Sequence, residues 1–202
     1  QKQNHSNFKF THKYIANIID ALRKSFDIGK SLNLFNVKKN NVLKILHITN
    51  LNQRFNGRLH YNTGRRINNG FIRLGHNVLT LSDRDIINKS KNIRDYNGKK
   101  TLQKSIIDAY KNFKSDCIIL GHADSVSNDT LDYLRNINKS LKISQWFLDP
   151  LGIHGPDYIK NTQRVTEKDE FIDATFLTTD PSVLPNKINN SLLNKSLASI
   201  RL

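Results

Sequence analysis

The chain has 202 residues, a formal net charge of +15 and one cysteine. A lone cysteine excludes an internal disulfide and favours a reducing compartment, and no run approaches the roughly 18 apolar residues that a membrane-spanning helix needs. The charge favours an anionic partner such as nucleic acid, a phosphorylated sugar or lipid headgroups, although a composition rich in Lys, Asn and Ile also follows from an AT-rich genome. The first residues contain no apolar segment of a secretory signal, so we expect a cytoplasmic protein.

The first part of the chain, residues 1–41, is predicted to be an amphipathic helix and a linker. The helix covers residues 13–30, and four apolar side chains share one of its faces: Ile15, Ile18, Leu22 and Phe26. This face can dock on the flank of a sheet. Alternatively, a basic amphipathic helix can lie on an anionic membrane surface, which would place the protein at the inner face of the membrane.

A strand–helix–strand unit at residues 41–84 organises the rest of the chain. The apolar runs 43–49 and 76–82 predict two strands. Between them, three apolar side chains share one helix face: Ile67, Phe71 and Leu74. Gly75 stands where a left-handed C-cap ends a helix. Two apolar strands joined by a crossover helix favour a parallel sheet with right-handed crossovers.

The remaining segments repeat this plan. Three more apolar runs predict strands: 116–121, 141–148 and 173–178. The segments between strands are predicted as a polar loop at 83–100 with room for a short helical turn, helices at 101–113 and 129–138, and a weakly helical stretch at 157–170. The fold class is therefore α/β, an open, doubly wound, mostly parallel Rossmann-like sheet of about five strands preceded by the amphipathic helix. The predicted sheet domain is 42–181, and the tail 182–202 is interpreted as the start of a second domain that is missing or truncated.

Polar and ionisable residues follow the predicted strands, where sheets of this class bind ligands. His122 is a candidate general base, with Asp124 or Asp149 as its orienting partner or as an alternative base. N-capping explains Asp124 equally well. Arg54 and Arg58 flank the start of the first crossover helix, which is an anion-binding position. The other candidate ligands for a substrate in these loops are Asn52, Tyr61 and His154.

Several sharper motifs do not occur in the sequence. The chain contains no G-x-G-x-x-G, no G-x-x-x-x-G-K-[ST] and no G-x-S-x-G, which argues against tight NAD binding, a P-loop NTPase and a hydrolase nucleophile elbow. A metal site made of His122, Asp124, Asp149 and His154 is not expected, because only the first two are close in sequence. We therefore expect no metal and no cofactor.

The order of the motifs resembles the amino-terminal half of GT-B glycosyltransferases, in particular the CgeB-like, family-1-type group. The resemblance rests on K-I-L-H-I-T-N, then N-G-R-L-x-Y-N-x-G-x-x-I-x-x-G-F-x-R-L-G-H-x-V, then G-H-A-D, Q-W-F-L-D-P and D-A-T-F-L-T-T, over residues 42–183. It implies two Rossmann-like domains around a cleft and transfer of a sugar from a nucleotide-sugar donor, which is a substrate and not a cofactor, to a glycan or other hydroxyl acceptor. Six positions would line the acceptor side: Asn52, Arg58, Tyr61, His122, Asp124 and Asp149.

A complete enzyme of this type needs about 350 residues, so the cleft would require a second domain or a partner chain. One alternative is a non-catalytic basic Rossmann-like module that binds nucleic acid or anionic polysaccharide. Nucleic acid is the less expected partner, because the basic residues are scattered along the chain. Another alternative is a one-domain enzyme that binds a nucleotide or phosphosugar, such as an epimerase, but the missing glycine-rich loop argues against it.

Overall fold

A computed structural model of the protein describes residues 42–179 and 197–199. The amphipathic helix predicted at 13–30 and most of the predicted tail lie outside the described residues.

Six parallel strands form one sheet in the order β2-β1-β3-β4-β5-β6. The strands are β1 (Lys44–Thr49), β2 (Asn77–Leu81), β3 (Cys117–Gly121), β4 (Lys142–Phe147), β5 (Ala174–Leu177) and β6 (Leu197–Ser199). The described α-helices are α1 (Thr63–Arg73), α2 (Asp83–Ser90), α3 (Lys99–Phe113), α4 (Asn128–Ile137) and α5 (Tyr158–Thr166). Short 3-10 turns occur at Gln53–Phe55 and Asp169–Phe171. The α/β, Rossmann-like fold class and its five predicted parallel strands are confirmed.

The structure differs from the predicted elements in two places. The segment 83–100, predicted as a polar loop, contains the eight-residue helix α2. Its signal is Ser82-x-x-Asp85 before two isoleucines, a pattern of helix starts. The Ser82 hydroxyl donates to the Asp85 carboxylate but makes no capping bond to a backbone amide of the helix. Within the predicted tail, Leu197–Ser199 adds a sixth strand that pairs with β5. The predicted domain boundary at residue 181 stays a prediction.

The main core lies on one face of the sheet. Leu46 and Ile48 of β1 pack there against the buried faces of α3 and α4. Helix α1 packs on the opposite face, where Phe71 meets the ring of His47 edge-on at 5.6 Å between centroids. Since Leu46 and His47 are neighbours in one strand, their side chains point to opposite faces, and the sheet is covered by helices on both sides.

A buried polar network occupies the α1 face of the sheet. The indole Nε1 of Trp146 donates to His47 Nε2 at 3.3 Å, and His47 Nδ1 lies 3.2 Å from the Asn68 side-chain oxygen. Asn68 accepts a second hydrogen bond from Thr80. Burial lowers the pKa of His47 to about 4, against a smaller opposing effect of Asn68, so the ring is neutral at physiological pH.

Gly121, the last residue of β3, leaves the space that the Trp146 ring occupies. A Cβ at this position would lie 2.1 Å from Trp146 Cζ2 and 2.7 Å from Thr49 Oγ1. A side chain here would displace an indole that is held by His47. The glycine is therefore required by packing, immediately before His122.

Replacing Gly121 by alanine should destabilise the fold by roughly 1–3 kcal/mol, because the methyl group overpacks the sheet against Trp146. Gly70→Ala is the matched control: its Cβ would meet nothing within 4 Å on helix α1, so the change should be neutral or stabilising by up to about 1 kcal/mol. Urea unfolding followed by circular dichroism measures both. Equal stabilities for the two variants would contradict this account of Gly121.

Candidate functional site

The candidate site lies at the carboxyl edge of β3 and β4, and His122 is its most constrained side chain. The residue has a positive φ of 50°. The backbone amide of Leu148 donates to His122 Nε2 at 3.1 Å, and the ring stacks on Phe147 with centroids 4.5 Å apart. Because Nε2 accepts, the neutral ring carries its proton on Nδ1. Nδ1 lies 3.2 Å from Arg164 Nη2 and 3.6 Å from Asp149 Oδ2, the latter beyond hydrogen-bonding distance.

The neutral state of His122 follows from its surroundings. Burial lowers the pKa of the ring, the Asp149 carboxylate opposes this effect, and the nearby Arg164 guanidinium adds to it. Protonation would also place a second N–H on Nε2, facing the Leu148 amide hydrogen. The ring thus serves as a fixed acceptor for the Leu148 amide.

Arg164 of helix α5 joins the carboxylates of the site. Its Nε and Nη2 donate to the two oxygens of Asp124 at 3.1 and 2.8 Å, and its Nη1 donates to Asp149 Oδ2 at 2.9 Å. The guanidinium also lies 5.0 Å above the Phe147 ring. A planar fork of donors can satisfy one carboxylate with two bonds and still reach a second, which a lysine ammonium cannot do.

The carboxylates remain open to solvent although they are paired. The Asp124 side chain is 39% exposed and that of Asp149 is 44% exposed, whereas Arg164 is 19% exposed. Arg84, which lies at the start of α2, forms an ion pair with Asp124 at 3.5 Å. The site therefore presents charge-balanced carboxylate oxygens with free lone pairs, an arrangement suited to binding hydroxyl groups.

An open depression of about 260 Å³ adjoins these carboxylates. It is lined by Asp149, Pro150, Pro156, Asp157, Lys160, Asn161 and Arg164. Small-molecule sites usually measure about 300–1,000 Å³, so this one suits a ligand the size of a single sugar ring.

Lys168 lies in a narrow cleft behind the carboxylates, together with His122 and Asp124. The residue is only 4% exposed. Burial lowers its pKa, while Glu167 and Asp124 oppose the shift. The cleft has a volume of about 10 Å³, which is about the space of one water molecule, so Lys168 supports the site from behind and does not face a ligand.

The structure brings together the three predicted catalytic residues, His122, Asp124 and Asp149. It does not join the predicted substrate-binding residues to them by any hydrogen bond or ion pair among the described residues. Arg54 instead pairs with Asp85 at 3.1 Å. Asn52 hydrogen-bonds to Asn50 within the loop after β1.

The three remaining candidates are exposed. Arg58 lies over the Phe55 ring at 5.5 Å. Tyr61 is 79% exposed and meets His60 edge-on. His154 is an exposed residue of the loop after β4. The roles of these residues stay predictions.

Sequence reasoning missed Arg164 and Lys168. Arg164 lies in a segment predicted as weakly helical, 15 residues after Asp149 and 40 after Asp124. No local pattern connects residues at such separations. The loops after β3 and β4 lie side by side because the two strands are parallel neighbours in the sheet. This arrangement lets Arg164 of α5 reach both loops.

Asp83 is a buried carboxyl at the start of α2, near Asp124. The residue is fully buried, and neither carboxyl oxygen has a hydrogen-bond partner among the described residues. Burial raises the pKa of Asp83 to about 6, against the opposing effect of Arg84. Two residues later, Asp85 accepts hydrogen bonds from Ser82, Arg54 and the amide of Gln53, which outweigh its burial and lower its pKa.

The chain matches no protein-family model, and no curated protein matches it significantly. Within residues 42–179, no group of three or more His, Cys, Asp and Glu side chains could hold a metal ion. No helix in the described part of the chain is long and apolar enough to cross a membrane. The assignment of a function therefore depends on the geometry of the site.

Arg164→Lys should lower the stability by about 1–2 kcal/mol, because a lysine cannot bind Asp124 with two bonds and reach Asp149 as well. The control is Arg66→Lys on helix α1, an exposed arginine, where we expect a change within about 0.5 kcal/mol. Urea unfolding at pH 7 measures both. If Arg164→Lys is as stable as the unmodified protein, the bridging role is wrong.

Asp83→Asn should change stability in a pH-dependent way. The unfolded carboxyl ionises near pH 3.8 and the folded one near 6, so the buried carboxyl costs nothing below pH 3.8, and its cost grows as the pH rises to 6. Relative to the unmodified protein, the variant should therefore gain roughly 2 kcal/mol between pH 4 and pH 7.5, because a part of the cost is already present at pH 4. Any constant cost of burying the amide cancels in this difference.

Asp85→Asn is the opposite control for this experiment. The folded pKa of Asp85 is lowered, so its stabilisation is present at neutral pH and lost on acidification. The variant should lose more stability at pH 7.5 than at pH 4. Parallel pH profiles for the two variants would contradict the assignment of Asp83 as an unpartnered buried acid.

Proposed function

We propose that the chain is the acceptor-binding half of a GT-B-type glycosyltransferase, which transfers a sugar from a nucleotide-sugar donor to a glycan or other hydroxyl acceptor. The observation that carries the proposal is the pair of half-exposed carboxylates, Asp124 and Asp149, held by the single guanidinium of Arg164 beside a depression of sugar size. The resemblance of the motifs along residues 42–183 gives independent support.

The geometry suits the binding of a sugar acceptor. Each carboxylate uses part of its lone-pair capacity on Arg164 and keeps the rest for hydroxyl donors. The hydrogen bonds from Arg164 restrict the rotation of the two aspartates, so the acceptor hydroxyl would meet preorganised oxygens. His122 uses its Nε2 lone pair on the Leu148 amide and carries its proton on Nδ1, so it would not act as the base itself.

In the proposed reaction, Asp124 or Asp149 takes the proton of the acceptor hydroxyl. The hydroxyl oxygen forms a bond to the anomeric carbon of the donor, and the bond from that carbon to the nucleoside diphosphate breaks, so the leaving group carries away the electron pair. The depression of about 260 Å³ suits one sugar ring, which leaves the nucleotide to a second domain or a partner chain.

The second candidate is a non-catalytic module that binds nucleic acid or anionic polysaccharide. The observation in its favour is the segment 50–82, which contains five arginines and no acidic residue: Arg54, Arg58, Arg65, Arg66 and Arg73. Exposed Tyr61 lies within this segment, and aromatic side chains beside cations are common in sites for single-stranded nucleic acid. Arg54 is already paired with Asp85, so four cations remain for such a partner.

Binding of sugars, measured by saturation-transfer NMR over a panel of mono- and disaccharides, tests the first candidate. Asp124→Asn and Asp149→Asn should each weaken binding roughly tenfold to a hundredfold, because a hydrogen bond to a charged acceptor is replaced by a neutral one. Asp132→Asn, on the exposed face of α4, is the matched control and should leave binding unchanged.

A different result would favour the second candidate. If no sugar in the panel binds, while single-stranded RNA or an anionic polysaccharide binds and is lost in Arg58→Gln/Arg66→Gln, the second candidate replaces the first. Transfer from a panel of UDP- and GDP-sugars, with the second domain or partner supplied, would separate an acceptor-binding half from a sugar-binding protein without chemistry.

A further inference from the structure

The loop between α2 and α3, residues 91–98, carries the two most exposed large hydrophobic side chains of the described residues. The exposure of Ile93 is 102% and that of Tyr96 is 90%. Scattered exposed hydrophobic residues are normal on protein surfaces, but two fully presented ones in one short loop suggest an interaction site. Neither residue belongs to the candidate sugar site.

The 91–98 loop is held rigidly by hydrogen bonds. The side-chain oxygen of Asn92 accepts from the amides of Arg94 and Asp95 at 2.8 and 3.0 Å. Asp95, only 6% exposed, accepts from the amides of Lys100 and Thr101 at 3.3 and 2.7 Å. These bonds fix the backbone from both sides of the tip. The exposure of Ile93 and Tyr96 is therefore a consequence of ordered structure.

Gly98 closes the loop against helix α2. Its φ is +69°, and a Cβ there would lie 2.3 Å from the Ile87 carbonyl oxygen. The close approach seats the end of the loop on α2 and keeps its tip pointing away from the core. A glycine at this position satisfies both the backbone angle and the contact.

The loop that carries the two hydrophobic side chains is rich in exposed cations. Five exposed basic residues lie in or beside the loop: Lys89, Lys91, Arg94, Lys99 and Lys100. The acid within the loop is Asp95, which is buried and bound to backbone amides. The exposed surface of the loop is therefore strongly positive around an apolar tip.

We propose that the 91–98 loop docks the protein on an anionic lipid bilayer. Ile93 would enter the acyl boundary, Tyr96 would sit at the level of the headgroups, and the cations would face the lipid phosphates. An exposed aliphatic tip favours lipid over nucleic acid, because isoleucine cannot stack on a base. The tip projects from the surface, which suits insertion into a bilayer more than seating in a protein groove.

The position of α3 sets the orientation that docking would produce. One turn into α3, the Gln103 amide donates to the carbonyl of Ser125, in the loop that follows β3. The start of α3 therefore lies at the same edge of the sheet as Asp124. Docking through the loop would turn the carboxyl edge toward the bilayer, whether or not the sugar-transfer function holds.

Co-sedimentation of the full chain with vesicles tests the proposal, using phosphatidylcholine alone and phosphatidylcholine with 30% phosphatidylglycerol at about 0.15 M salt. We expect binding to the anionic vesicles only. Ile93→Ser/Arg94→Gln should weaken it at least tenfold, since one cation near an anionic surface contributes about fivefold and the inserted side chain adds to this. Tyr96→Ser alone should weaken it by a smaller factor.

The matched control is Ile137→Ser/Lys139→Gln, which removes one exposed isoleucine and one exposed cation at the end of α4. It should change vesicle binding less than threefold. Equal loss in both double variants, no loss in either, or no binding to anionic vesicles would overturn the proposal. The proposal would also be overturned if the protein binds single-stranded RNA, loses this binding in the loop variant and does not bind vesicles. Circular dichroism of each variant confirms that it is folded.

Discussion

The candidate site depends on the hydrogen bonds that the Arg164 guanidinium donates to two aspartates. It binds the loop after β3 through Asp124 and the loop after β4 through Asp149, and it lies over the ring of Phe147 at the end of β4. Without it, two carboxylates near one edge of the sheet would repel each other and turn toward solvent. With it, they remain close, charge-balanced and still half-exposed. The same bonds connect the two loops and hold the carboxylate oxygens in fixed positions.

The environment of each ionisable group decides its state at this edge. Asp83 and Asp85 are two residues apart, yet one lacks hydrogen-bond partners and has a raised pKa, while the other accepts several bonds and has a lowered one. His47 and His122 are both kept neutral by burial. Trp146 donates to His47 and packs edge-on against His122 at 5.2 Å. The buried polar network and the site therefore meet at one indole, and Gly121 leaves the room for it.

Two surfaces remain outside this site and are chemically different from it. The segment 50–82 is basic and free of acidic residues, whereas the 91–98 loop combines cations with fully exposed Ile93 and Tyr96. The positive charge of the described residues is thus not spread evenly over their surface. At the carboxyl edge of β3 and β4, the charges of Asp124 and Asp149 are balanced by Arg84 and Arg164.

The sequence by itself determined the α/β class, the five apolar runs as parallel strands, and the presence of His122, Asp124 and Asp149 after β3 and β4. Hydrophobic periodicity and the apolar runs of buried strands are local properties, so they can be recognised in a single amino-acid sequence. The sequence alone did not show Arg164 between the two aspartates, the unpartnered carboxyl of Asp83, or the separation of Arg54 and Arg58 from the catalytic candidates. Those depend on which loops become neighbours when the strands take the order β2-β1-β3-β4-β5-β6. Contacts between residues 15 to 40 positions apart leave no periodic signal, and only the tertiary structure brings their side chains within hydrogen-bonding distance.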